Sequence, residues 1–174
     1  ESCRQMVAWQ GAGLAPFVLS VNLSPVQFKR GNIEAVIDGA LARSGLAPCY
    51  LELEITETAL IDDAEKFIAT LNGLKSLGVS ISIDDFGTGY SNLSYLQRFD
   101  VNTLKIDQSF VRNLNASRHD RAIVQAIIQM AKSLDLTTTA EGIEGEAMRD
   151  QLRALGCDHG QGYWFSKPLA APEF

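Results

Sequence analysis

Short runs in which apolar and polar positions alternate recur along this chain, separated by stretches whose apolar positions return every three or four residues. The alternating runs are "FVLSVN" (17–22), "YLELEIT" (50–56), "VSISIDD" (79–85), "VNTLKID" (101–107), "LTTTAE" (136–141) and, more weakly, "GQGYWF" (160–165). Period-two alternation predicts strands. Between them "NIEAVIDGALARSG", "DDAEKFIATLNGLKSLG" and "GEAMRDQLRALG" read as helices stopped at Gly45, Gly78 and Gly156, glycine being the residue that most easily takes a left-handed cap. In "RHDRAIVQAIIQMAKSLD" the residues Ile123, Ile127, Met130, Ala131 and Leu134 share one face at helical spacing. Strands alternating with helices at this pace predict right-handed βαβ units and a parallel sheet, either open and doubly wound or closed as a (β/α)8 barrel.

Side-chain parity separates the two. One set on each strand is apolar (Leu19, Val21; Leu51, Leu53, Ile55; Ile81, Ile83; Leu104, Ile106), and the other is small or polar (Ser20, Asn22; Glu52, Glu54; Ser82, Asp84; Thr103, Lys105, Asp107; Thr137, Thr139, Glu141). An open sheet covered by helices on both faces would have to bury the polar set, which is costly without partners. In a barrel that set lines the inner wall and leads to the mouth where active sites sit. The barrel is therefore the expected fold, with six strands legible in the sequence where such a barrel has eight.

Composition narrows the function classes. The 174 residues are 46% hydrophobic and 21% charged, the make-up of one globular domain with a sizeable core. A net charge of -6 with scattered Lys and Arg offers no basic stripe for a polymeric nucleic acid. Cys3, Cys49 and Cys157 are far apart with no CxxC pair, which argues against a disulfide framework or thiolate metal site and for a cytoplasmic setting. No apolar run approaches the roughly 20 residues of a membrane helix. The sequons at Asn22, Asn92 and Asn115 are then chance matches, since their use requires secretion.

The polar strand ends carry the candidate chemistry. Asn22, Glu54, Asp84, Asp85, Lys105 and Glu141 stand there, with Asp107 and Gln161 close by in position. Carboxylates converging on one barrel mouth repel one another unless a cation neutralises them. The donors are hard oxygens and the two histidines, His119 and His159, are off the pattern, so Mg²⁺ or Mn²⁺ fits better than zinc. Adjacent Asp84 and Asp85 suit two ions about 3.5–4 Å apart, the arrangement that drives in-line attack on phosphate diesters. A single acidic residue after a strand is ordinarily a turn former or helix cap, but the recurrence at equivalent positions favours the metal reading. Parity aims Lys105 at the cluster, where it would stabilise anionic oxygen or orient a water. Glu57 and Glu144 suit either loop anchoring or substrate contact, and Trp164, Phe165 and Pro168 either base stacking or core packing. "GTG" at 87–89 reads as a tight turn.

Six segments carry a resemblance. "NLSPVQF" (22–28), "ELEITET" (52–58), "IDDFGTGYSNLSYL" (83–96), "LKIDQSFV" (104–111), "TTAEGIE" (138–144) and "GCDHGQGYWFSKPL" (156–169) resemble, in order, the successive motifs of the bacterial EAL domain. The resemblance implies a single domain over residues 1–174 on a modified TIM (β/α)8-type barrel. It implies a phosphodiesterase that opens cyclic di-GMP to linear 5′-pGpG with two Mg²⁺ or Mn²⁺ ions, the alternative being a receptor that binds cyclic di-GMP without cutting it. Carried over residue by residue, Asn22, Glu54 and Asp84 would hold one ion, and Asp84, Asp85 and Glu141 the second. Glu141 would also activate the water, Lys105 would hold that water or a phosphate oxygen, and Gln161 would support it. Glu57 would anchor the loop from Phe86 to Asn92 and Glu144 a neighbouring loop, while Gln27, Asp107 and Pro168 would touch substrate. The partners implied are cyclic di-GMP, a second copy in a homodimer, and sensory or GGDEF-type domains fused in a parent that is cytoplasmic or membrane-tethered, with no membrane contact by this segment.

The family's name motif lies on a strand upstream of the Asn22 strand and supplies a further metal glutamate, whereas this sequence begins inside the helix preceding "FVLSVN". The resemblance thus implies a barrel whose first strands are absent here. Residues 1–174 alone are then expected to expose sheet edges and aggregate; a monodisperse peak in size-exclusion chromatography with a cooperative melt would contradict this.

Overall fold

A computed structural model of the chain describes residues 1–29, 31–57, 64–89 and 96–174. The polypeptide gathers into two units, one of Glu1–Ser82 with a segment ending at Val101, the other of the stretch beginning at Ile83 with Asn102–Phe174. The division passes through a strand.

The first unit contains helix α1 (Ser2–Gly11), strand β1 (Leu19–Leu23), α2 (Pro25–Lys29), α3 (Ile33–Ser44), β2 (Leu51–Thr56), α4 (Ala64–Ser76) and the start of β3 (Ser80–Phe86). β1 and β2 run parallel with Leu19 opposite Leu51 and Asn22 opposite Glu54, and the Ser20 hydroxyl donates to Glu52 at 3.0 Å on the polar face. The opposite parity is the core: Leu51, Leu53, Ile55 and Ile81 are buried with Leu71 and Leu74 of α4. Phe67 stacks on Phe28 at 4.9 Å and meets Phe99 edge-on at 5.4 Å. α3 ends at Gly45 in the left-handed conformation expected of its glycine.

The second unit contains the end of β3, then β4 (Thr103–Ile106), α5 (Gln108–Arg112), α6 (Arg118–Ser133), β5 (Thr137–Ala140), α7 (Glu146–Leu155) and β6 (His159–Gly160). β4 pairs parallel to β5, with Lys105 opposite Thr139, and β5 pairs parallel to β6. The strand order in the sheet is the order in the sequence, β1 to β6, as successive right-handed βαβ units require. Ser117 caps α6 by accepting from the Asp120 amide at 3.1 Å. α7 stops at Gly156 with φ of 87°, a conformation costly to a residue with a Cβ. Among the described residues no helix is long and apolar enough to cross a membrane.

Two expectations need correction. "GQGYWF" is not a strand: β6 ends at Gly160, and the Phe165 and Ser166 amides turn back onto the Gly162 carbonyl. The cause is a backbone contact, since a Cβ at Gly162 would lie 2.2 Å from the Ile143 carbonyl oxygen, and the chain bends where it passes Ile143. On α6 the buried stripe is Val124, Ile127, Ile128 and Ala131, while Ile123, Met130 and Leu134 flank it half-buried. The spacing was right and the face is rotated by about one residue. The start of the stretch read as "DDAEKFIATLNGLKSLG" and positions 90–92 of the expected 86–92 loop lie outside the described residues.

The rotated face has a measurable consequence. Ile128 is fully buried, so Ile128→Ala is expected to cost about 2–5 kcal/mol and Ile123→Ala clearly less. Equilibrium urea unfolding of both variants checks this, and equal losses would contradict the stripe.

Candidate functional site

In the second unit three parallel strands end in polar residues that meet. β3 closes with Asp84 and Asp85 ahead of Phe86, β4 carries Lys105 on the face that bears Thr103, and the chain after β5 continues the ladder, the Glu141 amide donating to the Ile106 carbonyl at 3.1 Å. That continuation sets Glu141 on the same parity as Thr139 and hence as Lys105. Lys105 is only 4% exposed. Its ammonium lies 3.0 Å from Asp84 Oδ1 and 2.7 Å from Glu141 Oε1. A buried ammonium needs such partners, because desolvation without them costs several kcal/mol.

Asp84, Asp85 and Glu141 each present a carboxylate oxygen within 4.8 Å of the others. Asp85 adopts a left-handed φ of 54°, and its amide donates to Asp84 Oδ1 at 3.1 Å. Burial pushes the Asp85 carboxyl above the usual range; the charges of Asp84 and Asp107 and a hydrogen bond with Asp107 push the same way, and Lys105 opposes them. Lys105 thus brings one basic group to a cluster with three carboxyl groups. All the acidic donors are hard oxygens, so the cluster fits a hard divalent cation of the Mg²⁺ or Mn²⁺ type.

The other expected residues are distributed as follows. Asn22 and Glu54 stand side by side across β1 and β2 in the first unit, and Glu57, just past β2 in that unit, is buried. Gln27 lies on α2, where its side chain accepts from the Ser24 amide at 2.9 Å. Asp107 caps α5, accepting from the Ser109 amide at 2.9 Å and from the Ser109 hydroxyl. Gln161 follows β6, its amide donating to the Ala140 carbonyl at 2.8 Å. Pro168 is exposed on the segment beyond. Beside the cluster a cavity of about 260 Å³ is lined by Glu141 and Gln161 together with Gln108, Arg112, Glu144 and Tyr163. Arg112 and Glu144 pair there at 3.5 Å. Gln108 and Arg112 escaped the sequence reading because they sit on a short helix after β4, where a polar residue reads as ordinary solvated surface.

Below β5 a second polar knot ties the strand to the α7–β6 turn. Asp158 accepts from the Thr138 amide and hydroxyl at 2.8 and 2.9 Å. Burial pushes the Asp158 carboxyl up, but these bonds, with His159 and Lys132 near, outweigh it and hold it below the usual range.

Comparison with known proteins gives this geometry its kinship. The family described as the EAL domain matches residues 1–168. The chain is 42% identical over 173 residues to the bifunctional diguanylate cyclase/cyclic di-GMP phosphodiesterase MucR of Pseudomonas aeruginosa, covering 99% of this chain and 25% of that protein. It is 44% identical over 169 residues to the cyclic di-GMP phosphodiesterase NbdA of the same organism, covering 97% of this chain and 22% of that one. It therefore spans about a quarter of the length of these relatives. Among solved structures, the MucR phosphodiesterase in complex with c-di-GMP superposes with a TM-score of 0.95 at 42% identity, over 99% of this chain and 70% of that one. Klebsiella pneumoniae BlrP1 with manganese and cyclic di-GMP gives 0.85 at 32% identity, over 97% and 43%. The fold is accordingly the α/β, TIM-barrel-like one expected from the strand parity. With sequence, backbone and strand-end acids in agreement along nearly the whole length, the chain belongs to the EAL domain family.

Proposed function

We propose that this chain is the catalytic unit of a divalent-metal-dependent phosphodiesterase that opens cyclic di-GMP to linear 5′-pGpG. The observation that carries the reading is the buried Lys105 held by Asp84 and Glu141 inside a carboxylate cluster spanning 4.8 Å. Kinship with cyclic di-GMP phosphodiesterases and with c-di-GMP complexes supports the substrate.

Asp84, Asp85 and Glu141 would hold the Mg²⁺ or Mn²⁺, and Asn22 and Glu54 take the same role on the family pattern alone. Bound there, divalent ions supply charge neutralisation and polarise the phosphodiester and the attacking water. The protein's own groups do the rest. Glu141 borders both the cluster and the cavity and accepts the proton of the attacking water. Lys105, fixed by two carboxylates, sets its ammonium charge beside that water or a phosphoryl oxygen, a preoriented charge that needs no reorganisation as the transition state forms. Gln161 lines the same cavity and donates to the oxygen that Lys105 holds. Water adds to phosphorus, the bond to one ribose 3′-oxygen breaks, that oxygen takes a proton from solvent to become the 3′-hydroxyl, and the 5′-phosphate stays on the product.

Asp84→Ala is expected to abolish pGpG formation, followed by chromatography of cyclic di-GMP reactions with Mg²⁺, while circular dichroism stays native; full activity would sink the assignment, and binding without turnover by the unmodified protein would make it a receptor. Lys105→Met leaves the carboxylates uncompensated and is expected to lower stability in EDTA by about 3–5 kcal/mol. Added Mg²⁺ or Mn²⁺ should restore more of the thermal midpoint in this variant than in the wild type, and melts that ignore the cation would contradict the metal reading.

A further inference from the structure

The reaction gives tasks to Glu141 and Gln161, and each stands one residue past the strand that delivers it. β5 is four residues long, but β6 has only two, His159 and Gly160. They pair in parallel with Thr139 opposite His159 and Ala140 opposite Gly160, a register that, carried on, sets Glu141 opposite Gln161. Ladder bonds between backbones are alike in every register, so a strand this short needs a side chain to fix where it starts. A slip of one residue would turn Gln161 to the other face.

Asp158 supplies that side chain. The amides of β5 alternate in direction: those of Thr137 and Glu141 donate to Asn102 and Ile106 on the β4 side at 3.0 and 3.1 Å, which sends the Thr138 amide toward β6. Its acceptor there is Oδ2 of Asp158, at 2.8 Å, in the place of a backbone carbonyl. The same oxygen accepts from the Thr138 hydroxyl at 2.9 Å, and the Asp158 amide donates back to that hydroxyl at 3.2 Å. Thr138 is fully buried, so a residue at 158 without an acceptor would leave two buried donors unmatched. The ring closes only with Asp158 beside Thr138. Three residues further along the two segments come Glu141 and Gln161. There the Gln161 backbone is held on both sides of Glu141, its amide donating to the Ala140 carbonyl at 2.8 Å and its carbonyl accepting from the Ile143 amide at 3.0 Å. The side chains of Glu141 and Gln161 line one cavity.

We propose that Asp158 is a positioning residue for the reaction: by locking Thr138 it fixes the register of β6 on β5 and so holds Gln161 beside Glu141. The catalytic consequence rests on the phosphodiesterase reading, whereas the lock itself is measurable without turnover.

Hydrogen–deuterium exchange and steady-state kinetics of the full-length protein test it, for the wild type, Asp158→Ala, Asp158→Asn and Thr138→Val, each checked for a native circular dichroism spectrum. Asp158→Ala is expected to speed exchange of the Gln161 and Ile143 amides about tenfold or more, as local opening does. It should lower kcat for cyclic di-GMP with Mg²⁺ about tenfold to a hundredfold, the scale of a catalytic group displaced by about an ångström. KM should move by no more than about twofold, since the group acts in the transition state. Asp158→Asn keeps an oxygen acceptor for both Thr138 donors and is expected to restore both readouts. Thr138→Val, close to threonine in shape, keeps the amide bond and should give a smaller shift in the same direction; it decides the matter where Asp158→Ala does not fold. On a Gln161→Ala background Asp158→Ala should cost little further kcat, as for residues that act as a unit. Unchanged exchange in the folded variant, or a kcat loss repeated in full on the Gln161→Ala background, would overturn the positioning role while leaving the phosphodiesterase reading standing. A wild-type protein without turnover would sink that reading, and the exchange result would still decide whether Asp158 sets the register.

Discussion

An ammonium group enclosed by protein must be paired, and Lys105 is paired with Asp84 and Glu141. The three residues come from or follow β3, β4 and β5, so the contact ties three consecutive strand ends in one unit. Burial raises the stakes. In a medium less polarisable than water, the same charges that hold Lys105 repel one another, and Asp85 feels both its neighbour Asp84 and the helix-capping Asp107. The cluster therefore gathers three carboxyl groups against one ammonium at a fixed place, a donor set that suits a hard cation.

Local backbone geometry serves that concentration of charge. Alternation along β3 would send Asp84 and Asp85 to opposite faces, yet their carboxylates lie in one group with Glu141. The left-handed φ at Asp85 is the local departure that accompanies this, and non-glycine residues in that region cost on the order of 1–3 kcal/mol. Such a conformation persists where the surroundings over-determine it, here the Asp84–amide bond and the contact with Asp107. The neighbouring cavity is less constrained. Its Arg112–Glu144 pair is open to solvent.

Much of this was legible in one dimension. Period-two alternation located β1 to β5 within one or two residues, and glycine stops marked the ends of α3 and α7. Strand parity selected Asp84, Lys105 and Glu141 as sharing a face; the parallel register sets Lys105 and Glu141 on one parity, and Asp84 meets Lys105 at 3.0 Å. These features are local: an alternating run has one apolar face whatever packs on it, and residues at the ends of neighbouring parallel strands converge by construction.

Other features depended on approach between distant segments. "GQGYWF" has strand-like composition, but Gly162 meets the Ile143 backbone so closely that the chain turns. The α6 stripe runs through Val124 and Ile128, since the facing strands choose among apolar residues of similar spacing. Nothing in "QSFVR" or "EGIE" announces that Arg112 reaches Glu144. The sequence by itself determined the order of strands and helices, the shared face of Lys105 and Glu141 and the hard-oxygen character of the site. Only the tertiary structure decided which acids grip Lys105, where the last strand stops and which arginine borders the cavity, because side-chain periodicity encodes direction while the distances between elements are set by packing.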